Sequence, residues 1–220
     1  MSGGTAELIL FGMVAAFLVL RLRSVLGKRT GFERPAQPVA APGARPAETR
    51  PGMAPPAAQP GQPHLVVPDA RTPPGQALSR IAATDPAFDP YRFLAGAEGA
   101  FRMIVGAFAA GDRATLKPLL SDDSYAGFEH AISTREQAGE TQRTEVRAVN
   151  EMAIDSADLR GTVADVTVKF VTDQVNITMA ADGSVAHGHD GVTELSDLWT
   201  FQRDLRSPDP TWRLVATRSV

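Results

Sequence analysis

The chain of 220 residues contains no cysteine. That excludes disulfides, thiol catalysis and thiolate metal sites, and it leaves the redox compartment open. Aromatic residues are scarce, at 6%, and most lie beyond residue 87. No excess of one charge exists: 22 Lys and Arg stand against 25 Asp and Glu, a formal net charge of -3. The overall balance therefore gives no support to DNA or another nucleic acid as partner. No G-x-x-x-x-G-K-[ST] run occurs, and no G-x-G-x-x-G follows a strand pattern, so nucleotide hydrolysis has no basis in the sequence.

What the chain does have is unevenly placed. Residues 8–20, LILFGMVAAFLVL, are unbroken apolar sequence. A membrane span needs about 20 such residues. Leu22, Val25 and Leu26 extend the segment, with Arg21 and Arg23 snorkelling to the interface. No Lys or Arg precedes Leu8, whereas Arg21, Arg23, Lys28, Arg29 and Arg34 crowd in directly after it. A cleaved secretory signal has the opposite polarity. The pattern predicts an uncleaved single-pass anchor over 1–34. The positive-inside rule puts the N-terminus outside and the C-terminal part in the cytoplasm, or in the matrix in a mitochondrial setting. The basic flank is also placed to attract anionic lipid head groups.

From 35 to 74 the chain is Ala, Pro, Gly and Gln with scattered charges, and twelve of the seventeen prolines fall between 33 and 74. Such a stretch lacks helix or strand periodicity and predicts a disordered linker. LVVP at 65–68 is a small apolar island within it, without an assigned role.

The periodicity of a folded domain begins at 75 and runs to 220. A short amphipathic helix is expected over 76–84, with Leu78, Ile81 and Ala82 on one side. Asp89 and Pro90 then form a helix start. Leu94, Ala97, Phe101, Ile104 and Phe108 recur at three- and four-residue spacing, one face of a helix. Gly111 is its expected left-handed stop. A shorter helix follows Asp112, and a third follows Ser121, with Asp122 and Asp123 in its first turn where the dipole favours acids. Beyond 140 the period changes to two. Strands are expected over 142–155, 164–170, 175–179, 192–201 and 212–216, with a turn at Asp182-Gly183. Helices followed by sequential antiparallel strands define an α+β domain, with N-terminal helices packed on a curved antiparallel sheet.

Candidate chemistry is thin. His187-Gly188-His189-Asp190 could offer metal ligands, but no third partner stands at diagnostic spacing, and the glycines suggest a hairpin loop. No metal or cofactor is expected. A catalytic reading would rest on Asp165, Asp197 or His130 in a cavity. A ribosome-binding reading would need a basic face built from Arg135, Arg143 and Arg147, which Glu136, Glu140 and Glu145 interrupt.

Several blocks carry a family resemblance. FDPYRFLAGAEGAFRMIVGAFAAGDRATLKPLLSDDSYAGFEHAISTREQAG resembles the start of a Tim-forty-four-like domain. ADLRGTVADVTVKFVT, ELSDLWTFQRD and SPDPTWRLVAT match in order after it. RLRSVLGKRTGFERP, behind the apolar segment, resembles the bacterial members of that family, called TimA. The family includes the matrix-side adaptor of the mitochondrial presequence translocase and a mitochondrial ribosomal protein. The resemblance implies a fold similar to nuclear-transport-factor-two-like domains, with a large apolar pocket. It also implies an adaptor role without catalysis at the inner membrane. The expected partners are membrane lipid and proteins of a translocon, insertase or chaperone type, and the oligomeric state stays open. Carried onto this sequence, pocket candidates are Phe93, Phe101, Phe108, Phe128 and Trp199, and lipid-facing candidates are Leu78, Ile81 and Phe88. One departure matters. The mitochondrial adaptor has a long charged N-terminal region implicated in recruiting a chaperone. A Pro-rich tether stands in its place here, so that property is not carried over.

Overall fold

The computed structural model describes residues 62–220. The apolar segment at 8–20, the basic flank of Arg21, Arg23, Lys28, Arg29 and Arg34, and the linker as far as residue 61 lie outside the described residues. In chain order the elements are β1 (His64–Val66), α1 (Pro73–Thr84), α2 (Pro90–Ala110), α3 (Arg113–Leu119) and α4 (Asp122–Gln137). Strands β2 (Thr141–Arg160), β3 (Val163–Met179), β4 (Val185–Asp204) and β5 (Arg213–Ser219) follow.

Each helix begins where a side chain can satisfy a free amide. Thr72 accepts from Gly75 N, Asp89 from Arg92 N, Asp112 from Thr115 N and Ser121 from Ser124 N. These are the donors that a helix start leaves unpaired. Pro90 occupies the first turn of α2, and Gly111 ends it in the left-handed region at φ 71°. The inward face of α2 is Phe93, Leu94, Ala97, Phe101, Ile104, Val105 and Phe108, all buried. By length and composition α2 could cross a membrane, yet half of it is buried against the protein. It is the core helix of the domain.

The strands form one sheet in the order β1-β2-β3-β4-β5. Strands β2 to β5 run antiparallel to their neighbours, whereas β1 joins β2 in parallel. The sheet is therefore mixed, a correction to the purely antiparallel expectation. The extra strand comes from the apolar island at 65–68, so the domain reaches into the stretch assigned to the linker. Leu65 and Val67 pack against the core while Val66 points outward. Alternation over so few residues, among prolines, is too short to read as a strand.

A second correction concerns β3. The segments expected at 164–170 and 175–179 are one strand. Thr172 and Gln174 continue the inward alternation and are fully buried. Their polarity broke the apolar pattern that marks a strand in sequence. The third concerns the His187–Asp190 tetrad, which lies inside β4 rather than in a hairpin loop. His187 and His189 pair with Thr178 and Asn176 of β3. The turn between β3 and β4 falls where expected, with Gly183 at φ 82°.

The register of β2 on β3 slips between Val146 and Ala148, between Val149 and Glu151, and between Ile154 and Ser156. Bulges of this kind add twist and bend the bulged strand, which curves the sheet around α2. A bridge from Arg203 to Asp85, 2.9 Å and mostly shielded from solvent, pins the end of α1 to β4.

Two outcomes follow from this packing. Phe101→Ala removes a fully buried ring, and its expected cost is about 3–5 kcal/mol, read by urea unfolding. The Thr115 hydroxyl, followed by its amide, holds the Asp112 carboxylate below its usual range. A carboxylate with a depressed folded pKa stabilises the fold above its unfolded pKa and loses that effect as pH falls through the folded value. Wild type should therefore exceed Asp112→Asn in thermal stability at neutral pH. The gap should close on acidification below about pH 4, measured by melting across a pH series.

Candidate functional site

The helices cover the concave face of the sheet, and aromatic rings occupy the space between. Phe101 of α2 stacks on Phe170 of β3 at 4.7 Å and tilts against Trp199 of β4 at 4.7 Å. Trp199 continues to Phe201 at 6.4 Å, and Phe201 to Phe93 at 6.1 Å. Phe93 then meets Trp212 at 4.9 Å and Phe88 at 5.9 Å. Seven rings thus form one connected series. Phe108 and Phe128 make a separate edge-on pair at 5.2 Å.

Of the five candidate pocket residues, Phe101 and Trp199 are in direct contact, and Phe93 reaches them through Phe201. Phe108 and Phe128 meet each other at the far end of α2. All five are buried, between 0% and 8% exposed. The three lipid-facing candidates divide. Leu78 and Ile81 are buried at 4% and 0% and belong to the core. Phe88 is half-buried against Phe93 and Trp212. In this arrangement Leu78 and Ile81 have no surface to offer a bilayer, because α1 turns its apolar face onto β2. The outer side of α1 presents Gln76, Ser79, Arg80, Ala83 and Thr84.

Beyond Phe170 the floor of the concave face turns polar. Gln174 Nε2 donates to Thr172 Oγ1 at 2.8 Å, and Asn176 Nδ2 donates to Gln174 Oε1 at 3.4 Å. Asp197, 2% exposed, pairs with Phe170 in register and accepts from Ser219 Oγ at 2.8 Å. Beside it, the indole Nε1 of Trp199 is buried without a hydrogen-bond partner, and so is the hydroxyl of Thr217 on the paired position of β5. A buried donor left unpaired costs about 1–3 kcal/mol, so a polar partner at these atoms would be stabilising. Sequence reading had placed Trp199 there but missed the polar run, because Thr172, Gln174 and Thr217 are ordinary strand residues until the register brings their faces together.

One cation organises the other end. Arg135 of α4 donates to the carbonyls of Phe108 and Ala109 at 2.8 and 3.2 Å, and also to Gln142. Its guanidinium lies over the Phe108 ring at 5.2 Å. Burial pulls its pKa below the ordinary value. It serves the C-terminal carbonyls of α2, where a cation complements the dipole. The other two arginines of the ribosome reading are also engaged. Arg143 pairs with Glu145 at 3.3 Å and with Asp190, and Arg147 pairs with Glu145 at 2.7 Å.

The remaining candidates are dispersed. Asp122 and Asp123 sit in the first turn of α4, capped by Ser121. Asp165 pairs with Arg160 and accepts from Gln202 at 2.7 Å. His130 is exposed on α4, whereas Asp197 is buried on β4. His189 Nδ1 accepts from Gly191 N at 2.8 Å. Among the described residues no group of three or more His, Asp or Glu is arranged to hold a metal ion.

Comparison with known proteins places this architecture. No curated protein matches the chain. Among solved structures it is similar to the intermembrane space region of the chloroplast protein ARC6, at 14% identity over 61% of this chain and 98% of that one, with a TM-score of 0.45. A family model described as Tim44-like domain matches residues 75–219. The match runs from the first turn of α1 to the end of β5, and on it the chain belongs to the Tim44-like domain family.

Proposed function

We propose that the protein is a non-catalytic adaptor. It holds a Tim44-like domain close to an inner membrane, on the cytoplasmic side, and brings it to proteins of a transport, insertion or quality-control machinery. Family membership across residues 75–219 is the observation that carries this reading. The apolar segment at 8–20 and its basic flank would supply the anchor, and the Pro-rich stretch the reach. Tethering raises the local concentration of the domain at its target, so individually weak contacts to lipid or protein suffice. Lipid contact through α1 would use its outer side, with Arg80 toward anionic head groups and the half-buried Phe88 at its end.

A second reading is a small-ligand or lipid pocket in the domain interior. The unpartnered indole N–H of Trp199, buried beside Asp197 and Thr217, favours it. The seven-ring series would have to part to admit an acyl chain, with the polar end of the floor receiving a head group. Phe93, Phe101 and Trp199 would line such an opening, and Phe108 and Phe128 its far end.

Crosslinking and pull-down of the full-length protein from native membranes, with mass spectrometry of proteins and lipids together, tests both. Recovery of translocon, insertase or chaperone components supports the adaptor, and shortening the 35–74 stretch should then reduce their yield several-fold. Recovery of one stoichiometric lipid or metabolite without a protein partner moves the weight to the pocket. Removing residues 1–34 should transfer the protein from the membrane pellet to the supernatant.

A further inference from the structure

Strand β2 offers its outer edge over 20 residues, and three bulges interrupt it. Between the second and third bulges a regular run remains at 151–154. There β1 is paired: His64 with Glu151, Leu65 with Met152 and Val66 with Ala153. The hold is slight. Three residues make the ladder, Leu65 and Val67 are partly buried, and His64 and Val66 are exposed. His64 Nδ1 lies 3.9 Å from the Glu151 carboxylate, which Lys169 also approaches at 3.5 Å. Behind the strand the chain is clamped. Thr72 N and Thr72 Oγ1 donate to Asp69 O at 2.9 and 2.7 Å. Gly75 is pressed so close that an added Cβ would fall 2.0 Å from Asp69 O. The fixed point is therefore Asp69, and the piece ahead of it is held only by the short ladder and by Leu65 and Val67.

We propose that β1 is an exchangeable edge strand and that its slot is the docking site for an extended segment of a protein partner. A segment adding to a sheet edge gains main-chain hydrogen bonds, and side-chain pockets set its specificity. Here the strand it replaces states the chemistry. The partner runs parallel to β2 and places an apolar residue where Leu65 sits. A second apolar residue follows two positions on, and a basic residue lies beside Glu151. Lifting β1 also lengthens the tether by residues 62–68, on the order of 20 Å when extended. The proposal specifies how a partner would engage under the adaptor reading, and its test does not depend on which partner that is.

The test uses the full-length chain in detergent carrying V66C and A153C, the only cysteines present because the natural chain has none. The probe is a fluorescent peptide of sequence QPHLVVPDA, read by anisotropy. Oxidation locks β1 in its slot, and peptide affinity should fall at least tenfold relative to the reduced protein. Leu65→Asp in the natural chain should raise affinity at least tenfold, because apparent affinity scales with the fraction of open sites. Equal binding by the oxidised and reduced forms overturns the proposal, as does a folded Leu65→Asp protein with no gain. If Leu65→Asp does not fold, amide exchange in the natural chain decides. The β1 amides that donate to β2 exchanging at least a hundredfold faster than those of Val168 and Phe170 support it, and equal protection overturns it. A disulfide formed between two chains would overturn the peptide partner in favour of strand exchange between copies.

Discussion

Phe101, Phe170 and Trp199 meet at centroid separations of 4.7 to 6.0 Å, and through them α2 is held against β3 and β4. The rest of the domain is arranged around that contact. Strand β3 is central in the sheet, and its inward residues from Ala164 to Gln174 are all fully buried. A helix laid across such a strand must supply large rings on one face, and α2 does so at helical spacing. The curvature of β2 then lets α1 close over the same core, and Leu78 and Ile81 are consumed in that closure.

The elements beyond this contact add Leu116, Phe128, Ile132 and Leu214 to the same core, and charged groups at their ends fix their positions. Arg135 ties α4 to the last carbonyls of α2, and Arg203 ties β4 to the end of α1. Arg113 of α3 reaches Glu136 of α4 at 2.8 Å, and the hydrogen bond to that carboxylate raises its already high pKa. These pairs draw the cations inward or along helix seams. Arg113, Arg135 and Arg203 are in this way spent on holding the helices in place.

Much of the fold was legible in the sequence because its strongest signals are local. Asp89, Pro90 and Gly111 mark the two ends of α2, and the spacing of its phenylalanines identifies the buried face. What was not legible depends on register. Thr172 and Gln174 look like surface residues until β3 is seen to be central, so one long strand read as two. Leu65 looks like part of a linker until Met152 lies beside it. The candidate site divides in the same manner. Trp199 stood out as a large residue on a strand, whereas Thr217 gained meaning only from its pairing with Trp199 of β4. The lipid-facing assignment to Leu78 and Ile81 followed the correct amphipathic face of α1, and that face is taken by the domain's own core.

The apolar character of α2 has a consequence for synthesis. Its phenylalanines emerge from the ribosome well before their partners, since Trp199 follows the end of α2 by roughly ninety residues. At about 5–20 residues per second that interval lasts on the order of 5–20 s. During it the nascent chain displays a segment long and apolar enough, as a helix, to enter a bilayer. Glu98 and Arg102, an ion pair one turn apart near the middle of the helix, act as a safeguard. Carrying both charges into hydrocarbon is costly, which opposes entry of the bare helix into a bilayer.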